Sequence, residues 1–174
     1  MGDTFMVVIV IAVTVVLMFV IPLMTMADRT DDVAQLTVST ATSDFVDNIR
    51  TTGKIVPEDY DKFIQTLSST GNTYDVEFEV KVLDENPGKK AVQVQTDKIG
   101  ENYYYGVFDS QVKEKLDANT PYILKEGDRV IVKVKNTSLT LSQQFKNFLY
   151  TVVGNDTYTI AAQYSGTVTV NGGK

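Results

Sequence analysis

The hydrophobic pattern of the chain begins with a long apolar run. Residues 5–26 read FMVVIVIAVTVVLMFVIPLMTM and contain no charged side chain. A run of this length predicts a helix that can cross a bilayer, because about 20 apolar residues span the hydrocarbon core. Val and Ile dominate the run. They still form a helix here, because backbone N–H and C=O groups in apolar surroundings must hydrogen-bond to each other. Pro22 removes one backbone donor, so we expect a kink or a local loss of helix over residues 18–22.

The helical pattern continues beyond the apolar run. No Gly or Pro interrupts residues 28–50, and Gly53 fits a helix stop signal. On this polar background, apolar residues recur every three to five positions, at Val33, Leu36, Ala41, Phe45 and Ile49. We therefore predict one helix over about residues 4–50, apolar on all sides at first and amphipathic afterwards.

A short helix and two clear strands are predicted next. Pro57 with the acidic residues behind it suits the first turn of a helix, whose apolar face is Tyr60, Phe63, Ile64 and Leu67. Residues 74–82 alternate apolar and polar side chains, as expected for a half-buried antiparallel strand. Residues 124–135 contain a turn at 126–128 and then show the same alternation.

Weaker signals complete the predicted head of the protein. They place strands at residues 91–95, 103–108 and 158–170, a turn at 86–88, and short helices at 110–116 and 142–152. The predicted fold class is α+β: a long N-terminal hydrophobic helix that continues into a small, mainly antiparallel β-sheet with one or two short helices. We call residues 1–52 the stem, residues 5–26 the apolar segment, and residues 53–174 the head.

Composition excludes several classes of function. The net charge is −6 and the basic residues are scattered, so a nucleic-acid partner is not expected. Cys and His are both absent, which excludes disulfides, thiolate zinc sites, Cys nucleophiles and a Ser–His–Asp triad. There is no Gly-rich phosphate loop and no catalytic arrangement. We therefore expect neither an enzyme nor a cofactor or metal.

The apolar segment has three interpretations. A signal peptide is disfavoured, because the apolar run is longer than the usual h-region and neither a basic n-region nor a clear cleavage site flanks it. A buried core helix would need a larger protein around it, because every side is apolar. We expect a retained membrane helix. Its orientation is poorly encoded, since Arg29 is the only basic residue close to it. Two explanations stay open: a basic leader removed before Met1, or a final place in a protein assembly.

Two charged features near the apolar segment are candidate assembly sites. Asp3 precedes the run by two residues, where a carboxylate interacts favourably with a helix N-terminus and with a free amine. It can pair with the Met1 amine of another subunit or stay solvated in a short tail. After the run, Arg29 lies among acidic residues, Asp28, Asp31 and Asp32. This cluster can form ion pairs between subunits, bind a cation or mark a solvated boundary.

Aromatic residues and two sequons are the remaining candidates. Consecutive side chains on a strand point to opposite faces, so at least one of Tyr103, Tyr104 and Tyr105 should be exposed or at a contact. Ordinary packing of both sheet faces is the alternative. The triplets that begin at Asn136 and Asn155 match the N-glycosylation pattern, which matters only if the head is exported.

This order of features resembles the type IV pilin-like proteins, including the pilins of tight-adherence pili and of related archaeal filaments. The likeness rests on a bilayer-length apolar N-terminal helix that runs on as an amphipathic helix into a small β-rich head. A second, local likeness links residues 45–55, Asp59-Tyr60 with Phe63 and Leu67, and residues 70–76 to pilin-like proteins of Gram-positive tight-adherence or conjugation-associated clusters.

The chain departs from that family at its N-terminus. Such pilins carry Glu at the fifth mature position, after a leader that ends in Gly, whereas this chain has Phe5 and no basic leader. Either Asp3 takes the role of the Glu, or Gly2 marks an unusually short leader, or Met1 is the mature residue of a chain with a longer leader. The processing site is therefore open.

The resemblance implies assembly rather than catalysis. It implies a structural subunit of an extracellular pilus-like filament, a homopolymer whose subunits lie in the cytoplasmic membrane, with pilus assembly machinery, before they polymerise. The stem would supply the assembly residues: Asp3, Phe5, Pro22, Arg29, Asp31 and Asp32. Tyr103 to Tyr105 would belong to head interfaces in the outer wall. The alternative is a monomeric, single-pass, membrane-anchored binding or scaffold protein of a secretion or conjugation machine.

Overall fold

A computed structural model describes residues 2–84, 103–140, 143–144 and 159–173 of the chain. Three helices and six strands follow one another in this part: α1 Gly2–Thr52, β1 Lys54–Ile55, α2 Pro57–Ser68, β2 Tyr74–Asp84, β3 Tyr103–Val107, α3 Asp109–Asp117, β4 Tyr122–Ile123, β5 Arg129–Asn136 and β6 Ala161–Thr167. The predicted α+β class, a long helix followed by an antiparallel sheet and short helices, is confirmed.

Helix α1 is a single helix of 51 residues, as the pattern predicted. It continues across residues 18–22, so the local loss of helix expected at Pro22 is not observed. In the apolar segment the Thr14 and Thr25 hydroxyls donate to backbone carbonyls one turn earlier, which satisfies them without water. The helix ends where expected, because Gly53 adopts a positive φ of 69°.

The second half of α1 packs on the head through one stripe of its surface. The buried residues follow helical spacing: Ala27, Asp31, Ala34, Val38, Thr42, Phe45, Val46 and Ile49. Two residues of the predicted apolar face were assigned wrongly, because Val33 and Leu36 are 64% and 67% exposed. The sequence has apolar residues on two faces of this helix, and spacing alone did not indicate which face meets the sheet.

The main sheet of the described strands is antiparallel, with the order β3-β2-β5-β6. Phe78 of β2 lies opposite Val132 of β5, and the neighbouring buried positions are Val76, Val80, Val130 and Val134. These side chains form one core with α1, α2 and α3. The division into stem and head at residue 52 therefore describes only the order of the chain, because the second half of α1 packs into the same core as the head.

Two of the predicted short helices, α2 and α3, lie where they were expected. Helix α2 matches its prediction, and Phe63 stacks on Phe45 of α1 with ring centroids 4.5 Å apart. Helix α3 covers the predicted residues 110–116. A small antiparallel pair of β1 and β4 was not predicted, because two-residue strands leave no periodic signal.

Several predicted elements lie wholly or partly outside the described residues. These are the turn at 86–88, the strand at 91–95 and most of the helix at 142–152, of which residues 143–144 are helical. The predicted strand at 103–108 is confirmed as β3. The closing strand is shorter than its predicted 158–170, since β6 spans Ala161–Thr167.

Candidate functional site

The apolar segment forms the largest exposed apolar surface of the described chain. Its large side chains face outward on every side of α1, with Phe5 at 68% and Met18 at 73% exposure. None of its most apolar window is buried against the head, and the mean hydropathy of that window is 3.1. The helix is thus long and apolar enough to cross a membrane, a property that signal sequences near an N-terminus share.

Asp3 lies in the first turn of α1 and is exposed. A carboxylate in this position faces backbone N–H groups that have no partner within the helix, so it is favoured there electrostatically. The proposed pairing with the Met1 amine cannot be located, because Met1 lies outside the described residues. Asp3 therefore remains a candidate assembly residue on its position alone.

The acidic cluster after the apolar segment is divided between two faces of α1. Asp31 is only 5% exposed, and its Oδ2 accepts a hydrogen bond of 2.6 Å from the Thr140 hydroxyl of the head. Arg29 and Asp32 are exposed. Asp31 was expected at a solvated boundary, in a cation site or in a subunit contact. The structure instead places it within one chain, where it fastens the stem to the head.

The Asp31 contact is part of a capping box that sequence reasoning missed. The Thr140 hydroxyl accepts from the Gln143 backbone N–H at 3.1 Å, and the Gln143 side chain accepts from the Thr140 N–H at 2.9 Å. The Thr-x-x-Gln spacing of residues 140–143 was the available signal. A buried carboxylate thus holds the start of a helix in the head, which explains why Asp31 tolerates burial.

No metal centre is formed by the described residues. Within those ranges, no three His, Cys, Asp or Glu side chains come together in a way that could hold a cation. Asp31 and Asp32 are adjacent in sequence but differ in exposure, since Asp31 is buried and Asp32 faces solvent. Adjacent helical residues point about 100° apart. The cluster therefore does not converge on one point.

Tyr104 and Tyr105 hold consecutive positions on β3 and therefore point to opposite faces of the sheet. Tyr104 lies opposite Leu83, and the Arg129 guanidinium lies 4.8 Å from the centre of its ring. Tyr105 lies opposite Val82 and is 48% exposed, which meets the expectation that at least one of the three is accessible. Tyr103 pairs with the last residue of β2 through the backbone. Only an interface role of these residues remains a prediction.

Phe108 is an exposed aromatic residue that the sequence analysis did not single out. It is 76% exposed, the largest value among the exposed large hydrophobic side chains of the described residues. It occupies the N-cap position of α3, directly after β3, where its backbone starts the helix. The signal in the sequence was weak, since a lone Phe at the end of a strand is usually part of the core.

The two sequons differ in accessibility. Asn136 is 8% exposed, and its side-chain nitrogen, the atom a glycan would occupy, donates to the Ser138 carbonyl at 2.9 Å. The folded head therefore does not present Asn136 for glycosylation, which corrects that candidate. Asn155 lies outside the described residues.

Side chains bond to backbone groups at two places along the sides of the sheet. At one end of β6, the Gln35 side chain bonds to both the N–H and the C=O of Ala161, at 3.1 and 2.8 Å. On β2, beyond the residues paired with β3, the Phe78 N–H donates to Asp109 and the Val76 C=O accepts from Lys113. Backbone groups that are already bonded do not template another strand. The backbone groups of these residues are therefore not available to another strand.

The outer face of the sheet carries a network of charges. Lys133 donates to Glu79 at 3.1 Å and Lys81 lies 3.4 Å from the same carboxylate. The hydrogen bond from Lys133 holds the pKa of Glu79 below its ordinary value. The clefts on this face are open, at about 370 to 430 Å³. Exposed ion pairs of this kind contribute little stability and indicate a solvated surface.

Comparison of the chain with protein-family models, with curated proteins and with solved structures gave no match.

Proposed function

We propose that this protein is the structural subunit of an extracellular pilus-like filament, with a non-enzymatic role. One observation carries the proposal: a single unbroken helix, α1, is exposed and apolar over its first half and packed on the head over its second half. Such a subunit has a polymerisation element and a folded head joined without a flexible linker. The resemblance to type IV pilin-like proteins supports the same conclusion.

Assembly would replace one apolar environment by another. Before polymerisation the apolar segment lies in the membrane, with the head outside. In the filament the same side chains contact other stems, so little apolar surface needs to meet water at any stage. Because lipid and stem are similarly apolar, close packing of the Val and Ile side chains would decide the preference for the filament.

The rigid junction between stem and head supports polymer formation. Besides the contact of Asp31, the Asn48 side chain donates to Asp59 of α2 at 2.9 Å, and the Thr169 N–H donates to the Arg50 carbonyl at 3.0 Å. A fixed angle between stem and head gives every subunit the same contact surfaces. A contact repeated head to tail that does not close on itself produces a fibre.

The competing candidate is a monomeric membrane-anchored scaffold protein of a secretion or conjugation machine. The observation that favours it is the apolar window itself, since a simple anchor needs nothing more than its length and hydropathy. The two candidates differ in where the protein is found, because an anchor stays in the membrane and a filament subunit leaves it.

Sheared cell-surface material, studied by electron microscopy and intact-mass analysis, tests the proposal. We expect filaments built mainly from this chain. Recovery of the protein only as a monomer in detergent-extracted membranes would refute it. The measured mass also reveals the mature N-terminus and any modification of Asn155. In the same assay, Asp3→Ala is expected to abolish filaments while the head stays folded, and normal filaments would exclude a role of Asp3 in assembly.

A further inference from the structure

The exposed apolar surface of α1 extends beyond the apolar segment. Val33 and Leu36 are 64% and 67% exposed, whereas Ala34 and Val38 on the opposite side are buried against the head. Residues 5–36 cover about 47 Å of helix at 1.5 Å per residue. The hydrocarbon core of a bilayer is about 30 Å thick. Lipid that covers Phe5 therefore does not also cover Leu36 when the helix crosses the membrane.

A role as a membrane anchor alone does not explain why the exposed apolar surface extends to Val33 and Leu36. Charged residues, Arg29 and Asp32, are exposed on the helix between the apolar segment and Val33. Such side chains mark the region outside the hydrocarbon. Val33 and Leu36 thus lie on the watery side of the boundary, on the face of α1 that the head leaves open. Exposed apolar side chains in line on one helix face indicate a contact with another protein surface.

The stem itself contains a matching set of side chains. Arg29, Val33 and Leu36 are spaced i, i+4, i+7, which places them on one helix face. Near the N-terminus the same spacing recurs in Asp3, Val7 and Val10, with an acidic residue in place of the basic one. Val7 and Val10 are 56% and 60% exposed. When two parallel stems are shifted along their axes by about 39 Å, at 1.5 Å per residue, the two sets lie side by side. Asp3 then meets Arg29, Val7 meets Val33 and Val10 meets Leu36.

We propose that Val33 and Leu36 are the seat for the N-terminal turns of a second copy of this chain, whose Val7 and Val10 pack on them while its Asp3 pairs with Arg29. This inference rests on the proposed filament function and adds the register between two stems. Opposite charges select that register and apolar contacts stabilise it, as in other helix pairs whose partner choice is set by flanking charges. Asp32 lies near Arg29 on α1. Its carboxylate would repel Asp3 of the second copy in any register in which Asp3 does not meet the Arg29 guanidinium.

Cysteine cross-linking tests the register directly. The natural chain has no Cys, so introduced pairs report without background from native thiols. In assembled material, the double variant Val7→Cys/Val33→Cys is expected to form disulfide-linked ladders of covalent multimers on mild oxidation. The matched control is Val7→Cys/Thr40→Cys, which keeps the same helix face but moves the second thiol by about 10 Å along the helix. The control and each single variant should give at least about tenfold less product.

A charge exchange supplies a second, independent readout. Asp3→Arg and Arg29→Asp are each expected to reduce the yield of filaments at least about tenfold, and the double exchange is expected to restore it. Head folding is followed by circular dichroism in every variant. If the wild-type chain forms filaments but assembled Val7→Cys/Val33→Cys gives no cross-links, or the double charge exchange does not restore filaments, the register is overturned and the filament function stands. If the wild-type chain forms no filaments at all, the proposed function fails and the register with it.

Discussion

Replacement of Thr140 by valine measures how firmly the head is fixed to the stem. The Thr140 hydroxyl donates to the buried Asp31 carboxylate at 2.6 Å and accepts from the Gln143 N–H at 3.1 Å. A hydrogen bond to a charged group contributes about 1.5 to 3 kcal/mol, and a lost helix cap costs about 1 kcal/mol. Valine has nearly the same shape but makes neither bond. We therefore expect Thr140→Val to lower the free energy of unfolding by about 3 kcal/mol.

The assay is urea unfolding of the full chain in detergent micelles, followed by the near-ultraviolet circular dichroism of its tyrosines. Thr140→Ser keeps the hydroxyl and is the matched control, with an expected loss below about 1 kcal/mol. Asp31→Asn keeps an acceptor oxygen but removes the charge, and should cost about 1 kcal/mol. Because both residues share one bond, the double variant should lose about 1 kcal/mol less than the sum of the two single changes.

Equal stabilities of the valine and serine variants, within about 0.5 kcal/mol, would refute this reasoning. Additive losses in the double variant would do the same, since they would mean that Asp31 and Thr140 do not interact. In either case the junction of stem and head would depend on apolar packing alone.

Three further predictions concern the fold. Gly53→Ala should cost at least about 3 kcal/mol of stability, whereas Gly71→Ala should cost only about 1 to 2 kcal/mol. Both glycines have positive φ, but only at Gly53 would an added Cβ meet backbone atoms, at 2.5 and 2.6 Å. The urea unfolding midpoints of the two variants test this difference. Phe45→Ala should cost about 3 to 5 kcal/mol and Phe45→Leu about 1, because alanine leaves a cavity beside the stacked Phe63; equal losses would contradict this packing. Burial raises the pKa of Tyr60 above 10.0. The stability that the protonated Tyr60 hydroxyl gives the folded state is therefore complete below about pH 10 and is lost as the pH rises through the folded-state pKa. Between about pH 8 and pH 11, Tyr60→Phe should therefore lose less stability than the wild type, and an equal loss would exclude Tyr60 as a source of the alkaline instability.

Much of the fold followed from local patterns. The uniform apolar composition of residues 5–26 and the absence of Gly and Pro from residues 28–50 predicted α1, because a helix needs only local bonds. Strict alternation predicted the strands β2 and β5, which are long and half-buried. The two-residue strands β1 and β4 lack such a pattern, and they depend on chain segments that meet only in the folded head.

Only part of the candidate assembly surface could be predicted from the sequence. Sequence alone indicated the apolar segment and Asp3, because charge and apolar length are local properties. It placed Val33 and Leu36 on the apolar face of the helix with Phe45 and Ile49, but both are exposed. It offered Asp31 as a subunit contact, a cation ligand or a solvated boundary residue, whereas Asp31 is buried against Thr140. A periodic pattern shows that a helix has apolar faces, but only the position of the sheet decides which face is covered.

The sequence by itself thus determined the elements: a bilayer-length apolar helix, its long extension and a set of alternating strands. Only the tertiary structure decided how they combine. The sheet packs on the side of α1 that carries Ala34 and Val38, since the small and β-branched side chains allow close approach. That choice buries Asp31 against Thr140 and leaves the opposite face, with Val33 and Leu36, open. Burial depends on contacts between residues far apart in the chain, which no local pattern specifies.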